Sequence, residues 1–254
     1  MLAGLLVLAT MAGVSPNVSA PMRFKIDVKT VQEIDLTAMG QGKMPSDVTS
    51  SAWITVTMSD TSGGQLAHVV IDSMTLTPTG MAAQQLPPDA AAGAKGAVFH
   101  LYIVNGKIKG PMKPSIEGNM AVGMVQQGIA LLFPGARAGM KAGDTWTDTT
   151  KVDTSTDAST QTGSTVTLWK VVSLDGDAYN LEGALTGTMN AEQGGGQVSI
   201  SSKQAGTTTV TTSVKGPASK ALVSTRMDAT IVAAQVPDPI SMVGTTIVSI
   251  TALP

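Results

Sequence analysis

The chain has 254 residues, 43% of them hydrophobic and 13% charged, with a formal net charge of −2, no Cys and two His. That apolar content suits a sizeable core rather than a disordered chain, and the near-neutral charge without a basic stripe argues against a nucleic-acid partner. The lack of Cys excludes disulfides, thiolate nucleophiles, iron–sulfur clusters and Cys-based zinc sites, and two His leave little room for a His-rich metal centre.

Met1 to Val14 carries no charge and one polar residue, Thr10. As a helix it would span about 21 Å, short of the roughly 30 Å hydrocarbon core of a bilayer. That length suits the apolar region of an export signal. Val18-Ser19-Ala20 offers a small-x-small cleavage pattern, but Pro21 follows it, where proline hinders signal peptidase. No Lys or Arg precedes the run, Arg23 being the first, and no Cys follows it as a lipidation site. Residues 1–20 are therefore expected to be a cleaved export signal or a retained N-terminal membrane anchor, with a buried core helix as a third outcome.

From Met22 the pattern is alternation. Met22, Phe24, Ile26 and Val28 face one way, Arg23, Lys25, Asp27 and Lys29 the other, which is the signature of a half-buried strand. A solvated face is expected for the three basic residues, with contact to anionic headgroups as the alternative. Met39-Gly40-Gln41-Gly42-Lys43 reads as a turn. Ala52, Ile54, Val56 and Met58 define the next strand, and Asp60 to Gly64 a turn. Leu66, His68, Val70, Met74 and Leu76 then read as one face of a third strand. Phe99, Leu101 and Ile103 lead into Asn105-Gly106, a strong hairpin signal because both residues accept positive φ, and Ile108 starts the return strand. Further strands are expected over Thr145–Thr154, Ser164–Leu174, Ala178–Met189, Val198–Val214 with a break near Gly206, Leu222–Val236 and Ile240–Leu253. Short turns such as Asp175-Gly176-Asp177 join most of them.

One window departs from this style. No Thr occurs from Gly80 to Met140. The window holds an Ala/Pro loop, the hairpin and one convincing helix, Gly118 to Phe133, ended by Pro134-Gly135. Val122, Val125, Ile129 and Leu132 recur at spacings of three and four, with Met120 and Met124 beside them. Its glycines weaken it by about 1 kcal/mol each, so packing across the sheet must hold it. The expected fold is mainly β: residues 21–254 form a single domain, an antiparallel meander of about ten or eleven strands, strongly curved or a partly open barrel, with one short helix packed on it.

Leu132-Phe133-Pro134, followed by Lys141-Ala142-Gly143-Asp144-Thr145-Trp146-Thr147-Asp148, resembles a motif of exported bacterial β-rich proteins of unknown function. In that family a G-D-x-W segment opens the second half of the domain. The layout is also similar to the lipoprotein-carrier superfamily, a curved sheet around a helix lid. Neither resemblance implies a catalytic residue.

The chemistry-bearing residues are few. His68 is expected on the apolar side of its strand, near Asp72, and His100 on the outward side of its own, both structural. No G-x-S-x-G elbow, H-E-x-x-H, Walker loop or G-x-G-x-x-G is present, so no catalytic residue and no cofactor is assigned. Asp144, Asp148 and Asp153 lack the Gly and Glu of a calcium loop, and no metal is expected. In Gly143-Asp144-Thr145-Trp146 the structural reading is a tight turn at Gly143, a side-chain cap from Asp144 and a core anchor in Trp146. Met120, Met124, Val125, Ile129 and Leu132 form the candidate ligand or partner surface, because Met adapts to irregular apolar partners. The functional expectation is a non-enzymatic exported envelope protein. It would be a structural or interaction subunit at the periplasmic face of the inner membrane, within a complex of secretion, respiratory or photosynthetic type. The alternative is a periplasmic carrier of lipid or another apolar ligand.

Overall fold

Alternation of apolar and polar side chains sets long strands throughout a computed structural model, which describes residues 18–87, 89–155, 159–213 and 216–254. In chain order these are β1 (Met22–Asp35), β2 (Lys43–Thr61), β3 (Gly64–Gly80), a one-turn helix α1 (Ala82–Gln85), β4 (Val98–Val104) and β5 (Lys107–Lys109). Helix α2 (Met120–Leu131) follows, then β6 (Thr145–Ser155), β7 (Ser159–Asp175), β8 (Ala178–Gln193), β9 (Val198–Ser213), β10 (Gly216–Ala233) and β11 (Ile240–Leu253).

The strands form one antiparallel sheet of eleven in the order β5-β4-β3-β2-β1-β11-β10-β9-β8-β7-β6, a strongly curled half-barrel. The first and last strands pair at its centre, Ile26 opposite Ile250 and Val28 opposite Val248. Each half is therefore a meander running outward to its own edge. The connection from β5 to β6 must carry the chain from one edge to the other, and α2 lies within it. One face of each strand feeds the core: Phe24 and Ile26 from β1, Ile54 and Val56 from β2, Phe99 and Leu101 from β4, Leu181 from β8 and Ile250 from β11.

Glycine explains the curl. Gly163, Gly183, Gly187, Gly206 and Gly244 all lie on the concave side, by the period-two alternation of their strands with buried Trp169, Leu181, Val210 and Val248. A Cβ at Gly206 would come within 2.3 Å of the Ser224 carbonyl oxygen, and one at Gly183 within 2.5 Å of Thr208 Cγ2. Side chains converge on the inside of a curled sheet, and glycine leaves the backbones room to do so. The expected break near Gly206 does not occur. Gly206 stays in register between Leu185 and Thr225, and β9 runs unbroken.

Strand β3 corrects a second expectation. Ala67, Val69 and Ile71 are the buried residues of its first half, whereas Met74 and Leu76 are half-buried in its second. The change of parity comes from a bulge: Trp53 pairs with Ser73 and Ile54 with Ile71, leaving Asp72 unmatched. His68 therefore faces outward and not toward the core.

Candidate functional site

Helix α2 begins at Asn119, whose side-chain carbonyl accepts the backbone N–H groups of Ala121 and Val122 at 2.9 and 3.2 Å. An Asn in extended conformation satisfies two donors that the first turn leaves open. Val125, Ile129 and Leu132 are fully buried against the sheet. Gly128 brings the helix down on β1, since a Cβ there would lie 2.6 Å from Ile26 Cγ2. Met124 is half-buried and Met120 is exposed. Of the five candidate surface residues, Val125, Ile129 and Leu132 thus serve the intramolecular core. Met120 and the half-buried Met124 are the ones open to a partner while the helix stays seated.

The chain after α2 ties the two sheet edges together at one end. The Gly135 N–H donates to the Gly106 carbonyl at 2.9 Å, and Pro134 bridges Lys107 of β5. Gly143 turns the chain at a φ of +93°. The Asp144 carboxylate accepts the Lys141 N–H at 2.8 Å, and the Asp144 carbonyl accepts the Val171 N–H at 2.9 Å. Trp146 packs on the core with its ring stacked on Trp169, centroids 5.9 Å apart. The Asp148 carboxylate ion-pairs with the Lys107 ammonium across the gap between β6 and β5. Of these residues, Pro134, Lys141, Gly143, Asp144, Trp146 and Asp148 belong to the two segments singled out in the sequence, Leu132–Pro134 and Lys141–Asp148. Asp153, five positions on from Asp148, takes the opposite face of β6, by alternation.

Two further arrangements escaped the sequence. His68 and His100 are direct cross-strand neighbours, both exposed, their rings stacked at 4.9 Å and within 6° of parallel. The second arrangement is a row of exposed apolar side chains at the end of the sheet where the N-terminal segment joins it. Val18 bridges Ser59, Ser59 pairs with Leu66 and Leu66 with Tyr102. Val18, Leu66 and Tyr102 are 57%, 46% and 37% exposed. Ser19 fixes the entry, its N–H donating to the Met58 carbonyl at 2.8 Å and its hydroxyl accepting the Met58 N–H at 3.0 Å.

Four ion pairs join charged residues among the described ones. Lys25 pairs with Asp27 at 2.9 Å and lies over the Trp53 ring. At the tip of the β1–β2 connection, hydrogen bonds from the Thr37 hydroxyl and N–H hold the Asp35 carboxyl below its ordinary range. Glu33 beside Lys43 raises that ammonium. No group of three or more His, Asp or Glu among the described residues is placed to hold a metal ion. A small cleft of about 80 Å³ at the seam is lined by Lys107, Lys109, Arg137, Trp146 and Asp148 among others. A shallower one of about 300 Å³ lies between Asp35, Thr37, Asp238 and Ser241. Neither is an apolar chamber under α2.

Comparison with known protein families and with curated proteins finds no match. Solved structures with some likeness include a BenF-like porin from Pseudomonas fluorescens, 9% identical over 92% of this chain and 99% of that one, TM-score 0.28. Pseudomonas aeruginosa OpdQ is another, 6% identical over 93% and 99%, TM-score 0.26. These likenesses are too slight to bear on fold or role.

Proposed function

We propose that the protein is an exported, non-enzymatic envelope protein, held at the periplasmic face of the inner membrane by its N-terminal segment, where it serves as an accessory subunit of a larger membrane complex. The observation that carries this reading is the row Val18, Leu66 and Tyr102. It places exposed apolar side chains beside Val18 and Ser19, where the described chain begins; the uncharged run of residues 1–14 precedes them in sequence and lies outside the described residues. Burying about ten aliphatic side chains of that run contributes about 15 kcal/mol by area, as an upper bound. Cleavage after Ala20 would remove Val18 and both Ser19–Met58 hydrogen bonds from the folded domain. The filled space beneath α2, where Gly128 meets Ile26, supports an interaction subunit over a carrier with its ligand under the helix.

A second reading, a carrier of lipid or another apolar ligand, rests on the other end of the concave face. There Met189, Ser202, Ala229, Met242, Ile34 and Met44 form one cross-strand row, apolar but for Ser202. Fractionation and N-terminal sequencing separate the two. The expected result is a chain that retains residues 1–20, sediments with membranes, resists salt washing and is released by detergent. A mature chain starting at Pro21 in the soluble periplasmic fraction overturns the anchored subunit in favour of the carrier.

A further inference from the structure

The only two histidines of the chain stand opposite each other on β3 and β4. The Ile71 N–H donates to the Ala97 carbonyl at 2.9 Å, and the Gly96 N–H to the Ile71 carbonyl at 2.8 Å. Hydrogen-bonded positions therefore fall on Ile71, Val69 and Ala67, and His68–His100 is a non-hydrogen-bonded pair. In such pairs the Cα atoms approach to about 4.5 Å and side chains are closest. The flanking residues Ala67, Val69, Phe99 and Leu101 are buried, so the core fixes the backbone beneath both rings. The rings themselves are exposed.

We propose that His68 and His100 form a bidentate site for a borderline divalent transition-metal cation such as Cu(II) or Zn(II). Imidazole nitrogen suits these ions, with metal–nitrogen bonds of about 2.0–2.1 Å, so two ligating nitrogens lie about 3 Å apart. With ring centroids at 4.9 Å, rotation of the two rings brings one nitrogen from each to that separation without moving the sheet. The neighbouring positions on this face are Thr57, Leu66, Tyr102, Val70 and Val98. The antiparallel Phe99–Pro114 bridge sets Lys113 beside His100, and Lys109 pairs with Tyr102; both lysines are exposed to solvent, which screens their charge from the site. The pair supplies two ligands and leaves the remaining positions to water or to a group from a partner.

The test uses the full chain purified without a polyhistidine tag. Calorimetric titration with Cu(II) is expected to give one ion per chain, with electron paramagnetic resonance reporting two imidazole nitrogens. His68→Gln and His100→Gln should each weaken binding at least tenfold, because one imidazole is left without its chelate partner, and the double variant should lose that residual one-nitrogen binding as well. Carbethoxylation of the unaltered protein gives the same reading without substitution: Cu(II) should protect both rings. Two independent one-nitrogen sites, binding unchanged by either substitution, or rings that Cu(II) leaves unprotected would each overturn the site and leave a stacked aromatic pair.

Discussion

Two glycines of α2 share one intrinsic effect and differ in what surrounds them. At either position Gly→Ala removes a helix penalty of about 1 kcal/mol. A Cβ on Gly123 meets nothing within 4 Å, whereas one on Gly128 lies 2.6 Å from Ile26 Cγ2 and 2.9 Å from its Cδ1. Ile26 is buried on the central strand, with neighbours on every side, so it has nowhere to retreat. Overpacking of this kind costs about 1–3 kcal/mol. Gly123→Ala is therefore expected to stabilise by about 1 kcal/mol. Gly128→Ala should range from neutral to destabilising by about 2 kcal/mol, once the helix gain is set against the clash. Urea unfolding followed by Trp fluorescence measures both, with the slope unchanged and the midpoint raised by Gly123→Ala but unmoved or lowered by Gly128→Ala. On an Ile26→Ala background the penalty of Gly128→Ala should vanish, because the clashing atoms are gone. If Gly128→Ala stabilises as much as Gly123→Ala, α2 does not rest on β1 as described.

Thr208 is buried, and its hydroxyl is the one buried side-chain polar atom of the described residues without a hydrogen-bond partner. Thr208→Val keeps the shape and removes the unmet group, so it should stabilise by about 1 kcal/mol or more in the same unfolding assay; a loss of stability would show that the hydroxyl is bonded. The Asp35 carboxyl, lowered by its Thr37 hydrogen bonds, contributes stability that is present above the ordinary carboxylate range and lost as pH falls through its folded value. NMR titration should show Thr37→Val moving the Asp35 midpoint upward toward the ordinary value, and an unmoved midpoint would refute the assigned cause.

The central strands were legible because each buries one face and exposes the other. Phe24, Ile26 and Val28 alternate with charged residues, and no other register hides them. The apolar stripe of α2 was legible for the same reason, with its ends shifted: the helix starts after the Asn119 cap, which spacing alone did not reveal. Parity was lost in β3, where the bulge at Asp72 reverses the facing of everything before it. A bulge leaves no mark in the pattern, so His68 was assigned to the wrong face and its pairing with His100 went unseen. Gly206 looked like an interruption because glycine weakens strands; only the curvature of the finished sheet shows why a strand needs it there.

The seam shows how a short motif can matter to a fold that pattern alone largely specifies. Alternation fixes which residues face inward, but it does not bring the outer edges of β5 and β6 toward each other. Lys107 and Asp148 are 41 positions apart, with α2 between them. Their ion pair, half-exposed and screened, is worth about 1 kcal/mol or less. The Trp146–Trp169 stack and the Gly135–Gly106 hydrogen bond act at the same end of the sheet. Several modest contacts then hold what no single one would, and each needs its residue at a set distance along the chain. That requirement ties Lys107, Gly135, Trp146 and Asp148 to fixed places in the chain, in a protein whose strands are otherwise rich in Thr, Ser, Val and Ala.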